Sequence, residues 1–149
     1  MNLLVPEILD LVEKTKNKAD KVLVLRQNET PGIRGILRLN FDPNVKFDLP
    51  EGDPPFKKDT DKPIGYHQTN LITEVKRFYI WADPRQNISK LRKEQLFVEV
   101  LEGLHYTEAE VLILAKDRKL KDRYKSLSDD LVREAFPGLI PPKIETAKA

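Results

Sequence analysis

Two histidines, a run of carboxylates and two basic stretches are the residues of this chain with the chemistry to build a site. His67 and His105 stand far apart. Neither has the His-Glu-x-x-His spacing that puts two imidazoles on one helix face around a metal. His105 falls in the Leu104–Tyr106 turn and is read as a cap on a helix C-terminus or as a solvent-facing ring. Asp48, Glu51, Asp53, Asp59 and Asp61 crowd one segment. They lack the alternating Asp/Asn ligands and central glycine of a calcium loop, so the segment reads as solvated acid. Gly32 and Gly35 are bracketed by Pro31 and Ile36 and match no phosphate-cradling fingerprint. No serine sits in a nucleophile elbow. Glu108/Glu110 and Asp129/Asp130 fall in the first turns of expected helices, where carboxylates meet the positive end of the dipole. A structural role accounts for both pairs. No catalytic residue, metal ligand or cofactor is assigned, and the chain reads as non-enzymatic.

The basic stretches allow two readings. Lys76, Arg77, Arg85, Lys90, Arg92 and Lys93 interleave with Tyr79 and Trp81, and Lys116, Arg118, Lys119, Lys121, Arg123 and Lys125 face only Asp117 and Asp122. Cations with aromatics can bind nucleic acid by phosphate pairing and base stacking. The plainer reading is a solvated helix face, its aromatics turned into the core and its cations complementing a helix C-terminus. Gly103–Thr107 has the outline of a helix-turn-helix. The first turn after it carries Glu108 and Glu110, which would repel phosphates and argue against major-groove reading.

Composition sets the frame. The chain has 149 residues, 26 basic and 24 acidic, for a net charge of +2. That balance does not by itself imply nucleic acid. One domain of this length buries roughly 68–70% of its unfolded surface, enough for a core without staples. There are no cysteines, which removes disulfides, thiolate metal sites and cysteine nucleophiles and fits an intracellular setting. The longest apolar runs, Val22–Leu25 and Val111–Ala115, fall far short of a membrane span, so no membrane partner is expected. Met1–Glu7 lacks a basic n-region and is not read as a signal peptide.

The elements follow from periodicity and punctuation. A first helix begins near Pro6 with Leu4, Ile8, Leu11 and Val12 on one stripe. A second holds Ala19, Val22, Leu23 and Arg26. Thr30-Pro31 caps a third, which carries Ile33, Ile36, Leu37 and Asn40. Helices resume near Thr69 or Asn70 and run through Leu71, Ile72, Val75, Phe78 and Tyr79 to Trp81, broken by Asp83-Pro84. The longest holds Ile88, Leu91, Phe97, Val100, Leu101 and Leu104 and ends near Gly103. The next starts at Thr107, with Thr107-Glu108-Ala109-Glu110 as a capping box, and the last starts at Ser128 and stops at Phe136-Pro137-Gly138.

Between Phe41 and Tyr66 lie five prolines, Pro43, Pro50, Pro54, Pro55 and Pro63. Proline suits neither a helix interior nor a central strand. The apolar anchors Phe41, Val45, Phe47, Leu49 and Phe56 predict that at least the first half packs down as an ordered loop.

Several segments form a distinctive set: Leu37-Arg38-Leu39-Asn40-Phe41-Asp42-Pro43, Leu49-Pro50-Glu51-Gly52 with Pro54-Pro55-Phe56-Lys57, Arg77-Phe78-Tyr79, Leu101-Glu102-Gly103-Leu104-His105 with Glu108-Ala109-Glu110, and Ala135-Phe136-Pro137. Over Leu23 to Pro141 the pattern resembles a family of tailed-bacteriophage proteins of about this length, above all from marine T4-like myoviruses, that has no assigned activity. The resemblance implies a phage gene product acting in the host cytoplasm or in the virion, and carries over no catalytic residue.

The expectation is a single all-α domain over 1–142, with about five to seven short helices, a long proline-rich ordered loop at 41–66 and a flexible tail at 143–149. The leading function is an accessory or adaptor protein that binds a host or phage protein. Leu49, Pro50, Pro54, Pro55 and Phe56 are the candidate contact residues, because such a segment is costly to order unless it docks something or covers the core. The alternatives are a nucleic-acid-binding factor using the two basic stretches and a minor virion component. Oligomeric state is not legible.

Overall fold

The structure, a computed structural model, describes residues 4–52, 54, 69–83 and 85–141. Among them there is no strand, and the helices are α1 Val5–Lys14, α2 Lys18–Gln27, α3 Pro31–Phe41, α4 Leu71–Glu74, α5 Tyr79–Ala82, α6 Lys90–Gly103, α7 Tyr106–Lys116, α8 Leu120–Arg123 and α9 Asp129–Ala135. A 3-10 turn, Val75–Arg77, joins α4 to α5. Six of the helices run seven residues or more, within the expected number. The four-residue α4, α5 and α8 raise the total beyond it, and α8 lies in a basic stretch with no apolar period to announce it. Pro55, Phe56 and the tail 143–149 lie outside the described residues.

Local chemistry starts the helices. Thr30 accepts from the Ile33 amide at 3.2 Å, Asn70 from the Thr73 amide at 2.9 Å and Ser128 from the Leu131 amide at 3.1 Å. Each satisfies an orphan donor of a first turn. In α1 the Glu7 carboxylate accepts from the Leu4 amide at 2.8 Å. The last helix ends as expected, with Gly138 at φ +85° just beyond it.

The start of α7 differs from the expectation. Its cap is His105, whose Nδ1 accepts from the Thr107 amide at 3.2 Å. Thr107 is therefore already inside the helix. Glu108 does not bend back onto its own first turn. It is buried and accepts from the Leu71 amide at 3.4 Å. His105 is itself buried and stacks on Tyr106, so it neither faces solvent nor closes a C-terminus.

One hydrophobic cluster gathers residues from both sides of the proline-rich segment. The centre is α7, which packs on α1, α3, α6 and α8. Ala109, Val111, Leu112, Ile113 and Ala115 are all buried, as befits a helix apolar nearly all round. The helices α1 and α9 flank α2. Two expected stripes are rotated. On α1 Leu9 is buried where Leu11 is 40% exposed, and on α2 Leu25 is buried where Leu23 is 51% exposed. Short amphipathic helices leave the facing stripe to their neighbours' shape.

The glycines of α3 have a packing reason. A Cβ on Gly35 would lie 2.7 Å from Val75 Cγ1, and one on Gly32 would lie 3.3 Å from Ile72. Their absence of side chain lets the α4 segment settle against α3.

Candidate docking groove

Residues 42–52 form a strap with no regular structure that leaves α3 and crosses α5 and α6. It begins with an Asx turn, in which Asp42 accepts from the Asn44 amide at 2.9 Å. Its anchor is Phe47, only 2% exposed. The ring sits 5.1 Å from Phe78, 5.4 Å from Trp81 and 6.3 Å from Phe97, centroid to centroid. The Phe78 and Phe97 pairs are edge-on, the geometry that the ring quadrupoles favour, and the Trp81 pair is tilted.

Around Phe47 three hydrogen bonds close a ring between strap, α5 and α6. The Asp48 amide donates to the Trp81 carbonyl at 2.9 Å. Trp81 Nε1 donates to the Lys93 carbonyl at 2.9 Å. Lys93 Nζ donates to Asp48 Oδ2 at 3.0 Å. The Lys93 ammonium beside it holds the Asp48 carboxyl below its ordinary range.

The end of α7 fixes the rest of the strap. Lys116 Nζ is buried and donates to the Pro50 carbonyl at 2.8 Å, the Gly52 carbonyl at 3.3 Å and Asp117 Oδ1 at 2.6 Å. Asp117 in turn accepts from the Gly52 amide at 3.0 Å. Arg118, with φ +61°, turns its guanidinium onto the carbonyls of Asn40 (3.2 Å), Asp42 (2.8 Å) and Val45. The buried Asn40 side chain accepts from the Leu120 amide at 3.1 Å. A segment without its own ladder thus has its backbone groups met by side chains.

Between strap and α6 lies an open groove of about 650 Å³. Leu49, Pro50 and Pro54 line one side, and Leu91, Val98 and Phe97 the other. Leu91 is 67% exposed, the most exposed of the large apolar side chains among the described residues. Glu51, Glu94 and Glu99 also line the groove, with Arg92 and the internally bonded Lys116 as the cations.

The candidate contact residues therefore divide. Leu49, Pro50 and Pro54 come together on the groove, whereas Pro55 and Phe56 lie outside the described residues. The basic candidates divide as well. Lys93, Lys116 and Arg118 bind the strap. Arg77 pairs with Glu74, Arg85 with Asp83, Lys119 with Glu51 and Arg123 with Glu110. Arg85 holds the Asp83 carboxyl down at about 2. Lys76, Lys90, Arg92 and Lys121 are exposed, with no ion pair among the described residues. The aromatics interleaved with the first stretch also divide, since Trp81 is buried and Tyr79 is 53% exposed.

Sequence reasoning missed Lys93 and Lys116 as anchors. A signal was present. Lys93 stands four residues before Phe97 and Lys116 four after Leu112, so both cations lie on an apolar stripe, and a buried ammonium demands acceptors. The identity of those acceptors, strap carbonyls, was not in the spacing.

No group of three or more His, Asp or Glu side chains among the described residues is placed to hold a metal ion. No helix among them is long and apolar enough to cross a membrane. The profile of a family of unknown function, DUF6433, matches residues 8–122. The chain belongs to this family. No curated protein matches the chain. The family match runs from within α1 through α7 and most of α8, and so contains the strap, both walls of the groove and all the side chains that anchor the strap.

Proposed function

We propose that the protein is a non-enzymatic accessory or adaptor protein of a tailed phage, binding a host or phage protein at the groove beside the strap. The observation that carries this reading is an apolar groove built on a fixed frame. The strap is tied at Phe47, Asp48, Pro50 and Gly52, yet it leaves Leu49, Pro50 and Pro54 opposite Leu91 and Val98. Preformed recesses with an apolar floor are where partners dock at least ordering cost. The phage setting rests on the resemblance over Leu23 to Pro141, which implies the host cytoplasm or the virion as the working compartment.

The test is affinity capture of the tagged protein from infected-cell lysate, with and without nuclease, read by mass spectrometry. A stoichiometric partner that survives nuclease and is lost by Leu91→Asp supports the reading. Recovery of the bait alone overturns it. The exposed Lys76, Lys90, Arg92 and Lys121, without an ion pair among the described residues, favour a second reading, nucleic-acid binding. It requires partners that vanish with nuclease and affinity that falls steeply with salt. Purified particles containing the protein would instead favour a minor virion component.

A further inference from the structure

We propose that the groove receives a short apolar segment of another protein flanked by lysine or arginine; this rests on the docking reading above and specifies its partner. The apolar part follows from the walls. On α6, Leu91, Glu94, Gln95 and Val98 repeat at helical spacing, so they form one stripe along the groove. From Leu91 to Val98 the stripe runs about 10 Å, which matches about three residues of an extended segment. An exposed leucine at one end and a valine at the other provide the surface that such residues would cover.

The charge follows from the rim. Among the described residues Glu94 and Glu99 have no ion pair, and the Glu51 carboxylate is paired only with the exposed Lys119, at 3.3 Å. Arg92 is the single exposed cation lining the groove among the described residues. The Lys116 amine, although part of the lining, already has three acceptors in Pro50, Gly52 and Asp117 and offers nothing to a ligand. The rim is therefore carboxylate-rich around an apolar floor. It attracts a segment with cationic ends and repels one with acidic ends. The same rim disfavours a nucleic-acid backbone at this place.

The experiment is selection of a displayed 15-residue random peptide library on the intact protein. Enriched sequences are then measured as labelled synthetic peptides by fluorescence anisotropy. An apolar core with Lys or Arg on its flanks is the expected consensus. E94K/E99K alters only exposed side chains, and its helical content is checked by circular dichroism. It should weaken such peptides about tenfold or more at low salt. Peptides whose flanks are changed to glutamate should recover binding on E94K/E99K.

L91D should abolish binding of both peptide sets. Enrichment of neutral or acidic flanks, or indifference to E94K/E99K with sensitivity to L91D, overturns the basic-segment inference and leaves the adaptor reading standing. Indifference to L91D, or no enrichment, overturns the groove as the site.

Discussion

Glu108 gives the sharpest quantitative test of the fold. Its carboxyl is buried at the start of α7, against the first residues of α1 and α4. Burial pushes it up to about 7 from an ordinary 4.5, and the Glu7 carboxylate pushes the same way. The amides of Leu71 and Val5, which favour the charged form, offset only part of this. The sign follows from proton linkage. Between 4.5 and 7 the folded protein holds a proton that the unfolded chain has released. The contribution of Glu108 to stability is therefore greatest below pH 4.5 and falls as pH rises, levelling off above 7. At about 1.36 kcal/mol per pH unit, the full loss is about 3 kcal/mol, of which about 2.5 falls between pH 5 and pH 8.

Glu108→Gln keeps the shape and an acceptor oxygen but cannot ionise. The measurement is urea unfolding of both proteins at half-unit steps from pH 5 to pH 8. All other titrations cancel in the difference. The variant should gain on the parent steadily, by about 2.5 kcal/mol across the range, or on the order of 5–10 °C in Tm. A difference that stays flat with pH refutes the buried, neutral carboxyl, whatever its absolute size.

The other predictions concern the strap and the α3 contact. Lys116→Met should cost about 3 kcal/mol in chemical unfolding, because it leaves Asp117 and the Pro50 and Gly52 carbonyls without their cation. Trp81→Phe keeps an aromatic ring but removes the indole N–H that donates to the Lys93 carbonyl, which keeps its own helical donor. A loss of about 1 kcal/mol is expected in thermal unfolding, with faster amide exchange at Asp48. Gly35→Ala should destabilise by about 1–2 kcal/mol in urea unfolding despite alanine's better helix propensity, because the new methyl meets Val75 at 2.7 Å. Gain rather than loss there would show that α4 can move aside. Ser128→Ala should cost about 1 kcal/mol by calorimetry through loss of the α9 cap.

Much of this protein was settled by its sequence. Thr30, Asn70 and Ser128 start helices because a short hydroxyl or amide oxygen reaches an orphan donor two or three residues on, and no distant partner is needed. The 3.6-residue spacing of Ile33, Ile36, Leu37 and Asn40 likewise gave the buried face of α3, and Phe97, Val100 and Leu101 that of α6, although Leu91 of the same repeat is exposed. The first half of the proline-rich segment packs down through Phe47, Val45 and Leu49, which its apolar anchors implied. Tertiary structure alone decided how polar groups were spent. Glu108 has the sequence position of a dipole-facing carboxylate, but α1 and α4 close over it. Lys93, Lys116 and Arg118 look like surface charge, but the strap places its carbonyls and Asp48 on them. The physical reason is common to all four. Helix caps and apolar periods depend on neighbours within one or two turns, whereas a charged group's cost depends on whatever the rest of the chain brings against it.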